Sequence, residues 1–450
     1  MNLLGLGATS DGLIRHRPAS ATSSCSRCRR AKLPSPAVCG KVASLMHDSP
    51  TSGSTPERVQ LAVLSDRPAG TVASRRDNSP VRDSTRDSDR GAGAVASPMA
   101  NPPASGSSTG RVQLSVLSDR LAREVRYLRL SLTDRCNYRC TYCMPERVEH
   151  VRRSELLSFE EIVALVSAFA RWGVERVRLT GGEPTLRKDL ERLVAGLVQI
   201  PTRRGRLGVA MTTNGERLEA VAGALHAAGL REVTVSIDSL SPERFRQITR
   251  RGNLGAVVAG IAHARRIGFT AIKLNTVAIR GFNDDELGDI AKFAWNHHAV
   301  PRFIEMMPMS EGQLFVPGEM MSAEQIRRAI SLATQAPVEA DDGEGVRGLG
   351  PASYFRVASG PFAGRRFGTI GAMTENFCGS CNRLRVSATG QVHGCLAHDD
   401  AADLKAALRS GDELAVPALL HTLLASKRDG HDFALDGSGG PRKAMITIGG

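Results

Sequence analysis

Cys136, Cys140 and Cys143 place three thiols within eight residues, and Cys378, Cys381 and Cys395 place three more around the run Asn382-Arg383-Leu384-Arg385. Thiols clustered at such short spacing form a ligand pattern more than a crosslinking one. A closed structural zinc site takes four ligands, so three leave a coordination position open. A four-iron cluster ordinarily takes four cysteines, and one held by three has an iron free to bind something else. For the second triad alone, zinc with His393 or His398 as fourth ligand remains an alternative. The nine cysteines of this 450-residue chain fall into three such triads, the third being Cys25, Cys28 and Cys39. An odd number in a chain this long is not a small secreted disulfide scaffold, and ligand thiolates imply a reducing compartment.

The elements that would position these residues begin at Tyr127. Short apolar runs there alternate with helical patterns, and strands are expected at Tyr127–Leu132, Val174–Leu179, Leu207–Met211, Glu232–Ile237, Ala271–Val277 and Arg302–Met306. A helix over 158–172 opens on a capping box of Ser158 with Glu161, and its apolar stripe is Ile162, Leu165, Val166 and Phe169. Another starts at Ser241-Pro242, and Asn283 is expected to cap a third. Six βα repeats argue an α/β fold with a parallel, barrel-like sheet and right-handed crossovers. Chemistry in such a fold belongs at the C-terminal strand ends. Thr133-Asp134-Arg135, Thr180-Gly181-Gly182-Glu183-Pro184, Thr212-Thr213-Asn214-Gly215 and Asp238-Ser239 all fall there. After Ser322–Leu332 come Gly- and Pro-rich stretches, the second triad, and a helical segment from Ala401 to about Ser426, which together read as a smaller C-terminal domain.

Residues 1–110 differ in texture. No Phe, Tyr or Trp precedes Tyr127, and Ser, Pro, Ala, Gly, Arg and Asp dominate, so the segment is expected to be a disordered low-complexity extension. Arg58–Arg67 within it is nearly repeated as Arg111–Arg120, but one duplicated copy does not make a solenoid. The basic start suggests a transit peptide, against which Asp11 and the lack of amphipathic pattern count; a start codon placed too far upstream of Met46 or Met99 is the other reading. The net charge of +13 invites a nucleic-acid reading, yet fourteen Lys and Arg against eight Asp and Glu precede residue 111, so nearly half of it belongs to this tail. With aromatics at 4%, no basic stretch carries interleaved stacking residues. No apolar run reaches the ~18 residues of a membrane span. Scattered Arg and Lys suit a small polyanion such as a nucleoside triphosphate.

The Cys136-x-x-x-Cys140-x-x-Cys143 loop, with Tyr142 before its third cysteine and Gly181-Gly182 after the next strand, closely resembles the radical S-adenosylmethionine (SAM) superfamily. Over residues 111–450 the resemblance narrows to the GTP 3′,8-cyclase (molybdenum cofactor biosynthesis protein A) family. It is carried by Leu128–Cys136, Phe303-Ile304-Glu305, Phe377-Cys378-x-x-Cys381-Asn382-Arg383-Leu384-Arg385 and Gly449-Gly450. Ser353-Tyr354-Phe355 and Ala388-Thr389-Gly390 depart from the family pattern, away from any proposed ligand.

The resemblance implies a partial (βα)6 TIM-like radical SAM barrel at 111–333 and a C-terminal domain at 334–450 that carries the second iron–sulfur cluster and a Gly-Gly tail reaching the active site. It implies two [4Fe–4S] clusters, on Cys136/Cys140/Cys143 and Cys378/Cys381/Cys395. Tyr142, Gly182, Ser236 and Met307 would contact SAM. Arg129, Arg178, Thr212, Lys273, Arg383, Leu384 and Arg385 would contact GTP, with the open iron of the second cluster holding guanine. The implied activity is a carbon–carbon bond-forming lyase: a 5′-deoxyadenosyl radical takes hydrogen from C3′ of GTP, and the carbon radical attacks C8. Implied partners are an electron donor protein and the downstream cyclic pyranopterin monophosphate synthase, with a homodimer compatible; the compartment is the cytoplasm, or a mitochondrial matrix in a eukaryote. As bland readings, Arg129 and Arg178 would be barrel salt-bridge residues and Met307 core. Two other functions remain: a peptide-modifying radical SAM enzyme, against which Arg383, Arg385 and Gly449-Gly450 speak, and a non-catalytic zinc-binding regulator.

Overall fold

The computed structural model describes residues 116–310, 315–342, 350–412 and 414–449. Expectations for residues 1–110, the Cys25/Cys28/Cys39 triad and Gly450 fall outside them. Among the described residues, no helix is long and apolar enough to cross a membrane.

Six strands each lead into helix or loop: β1 (Tyr127–Ser131), β2 (Arg176–Thr180), β3 (Gly208–Thr213), β4 (Glu232–Ser236), β5 (Ala271–Ala278) and β6 (Val300–Glu305). They pair in that order, all parallel. Their crossovers carry α1 (Phe159–Arg171), α2 (Leu190–Leu197), α3 (Leu218–Ala227), α4 (Pro242–Thr249), α5 (Leu254–Arg266) and α6 (Leu287–Asn296), and α7 (Ala323–Thr334) follows β6. The C-terminal part adds β7 (Val338–Ala340), β8 (Ser353–Val357), β9 (Arg366–Ile370), β10 (Arg383–Val386), β11 (Gln391–His393) and β12 (Ala402–Asp403). Rather than forming a sheet of their own, β9 joins β6 and β10 joins β1, both parallel, and antiparallel strands continue outward on each side. The eight central strands are therefore all parallel, and the cysteine-bearing C-terminal segment is tied into the barrel's own sheet.

Local chemistry explains most of the helix ends. Ser158 accepts from the N–H of Glu161 while the Glu161 carboxylate accepts from the N–H of Ser158, the reciprocal cap that starts α1. Ser241 with Pro242 starts α4, and Ser322 with Gln325 starts α7. Asn283 does not cap α6, which begins at Leu287. Its buried side chain instead accepts from Ile279 N and donates to the carbonyls of Asp238 and Val277, pinning the turn after β5 to the loop that follows β4. Two of these partners precede Asn283 by four and six residues, where a cap would look forward, and the third comes from the loop after β4. The expected helix from Ala401 to Ser426 is two, α8 (Leu404–Arg409) and α9 (Ala415–Ala425), broken at Gly411 with φ +74°.

Side chains alternate across the sheet. Leu128, Leu130, Val177, Leu179, Met211, Val233, Val235, Ile272 and Leu274 point outward beneath the helices into one continuous core, fully or nearly fully buried. Each such side chain contributes roughly 1.5–3 kcal/mol by leaving water. The opposite register of the same strands carries Tyr127, Arg129, Arg178, Thr212, Thr234, Ser236, Lys273, Asn275 and Arg302, so the barrel interior is polar.

Candidate active site

The inward-facing residues surround a cavity of about 330 Å³. Cys136, Cys140 and Cys143 line one part of it and Cys378, Cys381 and Cys395 another, although Cys378 follows Cys143 by 235 positions. Tyr142, Gly182, Ser236, Met307, Arg129, Arg178, Thr212, Lys273, Arg383 and Arg385 all line it too. Of the residues that the resemblance assigns to a cluster, SAM or GTP, Leu384 alone does not. It lies between Arg383 and Arg385 on β10, so its side chain faces the opposite way and is fully buried in the core.

The first triad sits on the loop after β1. Arg139 N and Thr141 N donate to the carbonyls of Thr249 and Ile248 at the end of α4, which fixes the loop from outside. Inside it, Cys143 N and Met144 N both donate to the Cys140 carbonyl. Burial pushes the Cys136 thiol up to about 11, Cys143 to about 12 and Cys140 well above the ordinary value, the neighbouring thiols adding to the effect for Cys140 and Cys143. Yet Tyr138 N (3.4 Å) and Asn214 Nδ2 (3.9 Å) are directed at Cys136 Sγ, as Ala397 N (3.4 Å) and Lys427 Nζ (3.9 Å) are at Cys395 and Cys381 Sγ. Donors aimed at sulfur suit thiolates, and a metal that displaces the protons supplies them. Among the described residues no three His, Cys, Asp or Glu side chains converge tightly enough for a single ion, and neither His393 nor His398 lines the cavity. His398 Nε2 is engaged with the Gly430 carbonyl at 3.0 Å. Three thiols per set facing one cavity are a donor set that an iron–sulfur group with one open iron can use.

Gly182 lies where any side chain would collide: an added Cβ would be 2.4 Å from the Arg135 carbonyl oxygen. Next to it, the buried Glu183 carboxylate accepts from Thr185 N, Thr213 Oγ1 and Asn214 N, locking the loop after β2 to the end of β3. Tyr142 donates its hydroxyl to Asp238 Oδ2 at 2.8 Å. Burial raises the Asp238 carboxyl to about 6, against the lowering effect of its bonds from Val277 N and Tyr142. Met307 is half-buried on the cavity wall and not a core residue.

Deeper in, the register of β10, β1 and β2 sets Arg385, Arg129 and Arg178 side by side. Burial first, then Arg385, hold Arg129 well below its ordinary value, and burial with Arg383 brings Arg385 down to about 10. Arg178 donates to the Tyr127 hydroxyl, Met211 O, Thr212 and Thr234, none of them a carboxylate. Although burial opposes it, the charges of Arg178 and Arg129 draw the Tyr127 phenol down to about 8. Burial, then Arg302, lower Lys273 to about 8, partly offset by Glu232 at 3.7 Å. Arg383 stacks its guanidinium on Phe377, 4.7 Å from the ring centre. Arg178 and Arg302 are buried and Arg129, Lys273, Arg383 and Arg385 half-buried, and such crowded, mutually repelling cations suit a polyanion. Gly449 enters beside them: its φ is +73°, an added Cβ would come within 2.6 Å of Thr180 Oγ1, and its carbonyl accepts from Arg129 and Arg385.

Sequence reasoning gave no role to Tyr127, Asp238, Asn214, Arg302 or Lys427. The first four share the inward register or strand ends of named residues, a signal present in the alternation. Lys427 gave none.

Two family descriptions match: the radical SAM superfamily over residues 130–294 and Molybdenum Cofactor Synthesis C over 300–433. The GTP 3′,8-cyclase of Rhizobium etli (strain CIAT 652) is 42% identical over 323 residues, covering 71% of this chain and 89% of that protein. That of Pelotomaculum thermopropionicum is 42% identical over 336 residues, covering 74% of this chain and 100% of that protein. Among solved structures, Streptococcus suis SuiB bound to its precursor peptide SuiA aligns with a TM-score of 0.49 at 12% identity, covering 71% of this chain and 72% of that one. With a radical SAM region, a molybdenum cofactor synthesis region and these relatives, the chain belongs to the GTP 3′,8-cyclase family of radical SAM enzymes.

Proposed function

We propose that the chain is a lyase that converts GTP to (8S)-3′,8-cyclo-7,8-dihydro-GTP, the first step of molybdenum cofactor biosynthesis. The observation that carries this reading is the set of cations lining the same cavity as two cysteine triads, Arg178 buried and Arg129, Lys273, Arg383 and Arg385 half-buried. A peptide substrate would not call for such a concentration of positive charge.

Cys136, Cys140 and Cys143 hold one [4Fe–4S] cluster and Cys378, Cys381 and Cys395 a second. The first cluster, when bound, supplies one-electron cleavage of SAM and so the hydrogen-abstracting radical. Tyr142, Gly182, Ser236 and Met307 place SAM: Asp238 orients Tyr142, and the bare Gly182 lets the loop after β2 close on the backbone of Arg135 next to the first cysteine. Arg129, Arg178, Thr212, Lys273, Arg383 and Arg385 take GTP, the guanidiniums gripping phosphate oxygens as planar forks and Lys273 as a point charge. The backbone of Leu384 is the only part of that residue on the nucleotide's side. Holding both ligands in one chamber converts hydrogen transfer and ring closure into steps of fixed geometry and keeps the radical from water. We assign 111–333 to the barrel and 334–450 to the part carrying the second cluster. The product passes to cyclic pyranopterin monophosphate synthase and electrons come from a donor protein, in the cytoplasm or, in a eukaryote, the mitochondrial matrix.

Anaerobic incubation of the reconstituted protein with SAM, a reductant and isotopically labelled GTP tests the reaction. Cyclised nucleotide and about eight irons per chain are expected. Unchanged GTP together with modification of a supplied peptide, or two zincs and no iron, would overturn it.

A further inference from the structure

Behind the second cysteine triad lies a group of charged side chains that the reaction above does not use. Asp119, Arg123 and Lys427 have side chains only 0%, 6% and 2% exposed. Asp119 Oδ2 accepts from Arg123 Nε at 2.6 Å and stands 3.6 Å from Lys427 Nζ. From this centre the two cations reach the cysteine loop. Arg123 Nη1 donates to the Cys378 carbonyl at 2.8 Å, and Lys427 Nζ to the Cys381 carbonyl at 3.2 Å with Cys381 Sγ at 3.9 Å. The other guanidinium nitrogen binds the Arg428 carbonyl, so the arm before β1 and the turn after α9 close on the loop together.

Two cations share one carboxylate here, leaving an excess positive charge away from water. Burying an uncompensated charge costs several kcal/mol, and an ion group kept only as a brace is commonly replaced by apolar side chains without loss of stability. The compensation available is the Cys381 sulfur, which is anionic when it holds metal. Reduction of a bound cluster adds a further negative charge beside Lys427, so a fixed ammonium favours the reduced form.

We propose that Lys427, anchored by Asp119, is a positioning residue for the second cluster: it holds the Cys378–Cys381 loop in shape and raises that cluster's reduction potential. This rests on the reading that the second triad carries a cluster.

The test is a dithionite titration of the anaerobically reconstituted full-length protein followed by electron paramagnetic resonance, with SAM added to mark the first cluster's signal. Wild type should contain about eight irons; four would sink the two-cluster reading and this inference with it. With eight present, Lys427→Met should shift the second cluster's reduced-to-oxidised ratio at fixed ambient potential at least tenfold toward oxidised, about 59 mV for one electron, and leave the first cluster unchanged. Lys427→Arg should restore the wild-type ratio. Asp119→Asn keeps the ammonium and removes its counter-charge, so its shift should be in the opposite direction, which a purely structural brace would not produce. If Lys427→Met loses the second cluster, Asp119→Asn decides: a shift toward reduced supports the assignment, and no shift or one toward oxidised overturns it. An unchanged ratio in fully loaded Lys427→Met overturns this inference alone.

Discussion

Arg385 donates from Nη1 to the carbonyl oxygen of Gly449 at 2.9 Å, and Arg129 Nε shares that oxygen at 3.2 Å. A glycine is required there twice over, by its positive φ and by Thr180 and Ser131 against the missing side chain. Gly449→Ala should lower turnover roughly tenfold or more, about 1.4 kcal/mol in the barrier, with little change in melting temperature. Product formation under anaerobic conditions, read beside a thermal melt, checks this. Normal turnover would show that the carbonyl's place between the two arginines is incidental.

Lys273 makes nucleotide binding depend on pH. Burial and the neighbouring arginines lower its ammonium to about 8 in the empty site, and phosphate oxygens would raise it again. Affinity for GTP should therefore fall as pH rises through 8, and binding near that pH should take up protons. Tyr127, also near 8, titrates in the same sense, so Tyr127→Phe separates the two. Calorimetry in buffers of different ionisation enthalpy measures the uptake, which Lys273→Met should largely abolish. The sign for stability follows from the same depression. The unfolded chain holds this proton more tightly, so the lysine's contribution rises from about pH 8 to 10.5.

Leu384 separates packing from binding. Leu384→Ala removes a fully buried core side chain and should cost about 2–5 kcal/mol of unfolding free energy. Because only its backbone faces the chamber, KM for GTP should stay within about twofold of wild type. Denaturant melts and steady-state assays below the melting temperature check both parts. A large KM effect would mean that the side chain, not the backbone, governs the nucleotide's seat.

Gln335 ends α7 in the left-handed region at φ +52° and is exposed. Glycine adopts that conformation without steric cost, so Gln335→Gly should stabilise the chain by roughly 1 kcal/mol, seen as a higher melting temperature with unchanged turnover.

The chamber residues were named through the family resemblance, and one rule explains why several of them share a wall. Alternation along β1 puts Leu128 and Leu130 outward and Arg129 inward, and strand-end motifs such as Thr180–Pro184 mark where ligands approach. What stayed hidden depends on pairings between distant segments. That β10 would lie beside β1, bringing Arg385 next to Arg129, has no local signal; neither has the meeting of Asp119 with Lys427, 308 positions later. Asn283 shows a different limit: an Asn ahead of a helical pattern looks like a cap, whereas here its side chain turns back to Ile279 and Val277 and across to Asp238.

The alternation also limits how such a protein can change. Deleting Leu128 from β1 would carry Arg129 into the oily layer and Leu130 into the chamber, a double error that no nearby substitution repairs. Lengthening and shortening are thus tolerable in the loops and ruinous in the central strands. A scanning library of single-codon deletions should show this as silent stretches separated by sharply bounded dead zones of about five to eight residues, one for each parallel strand.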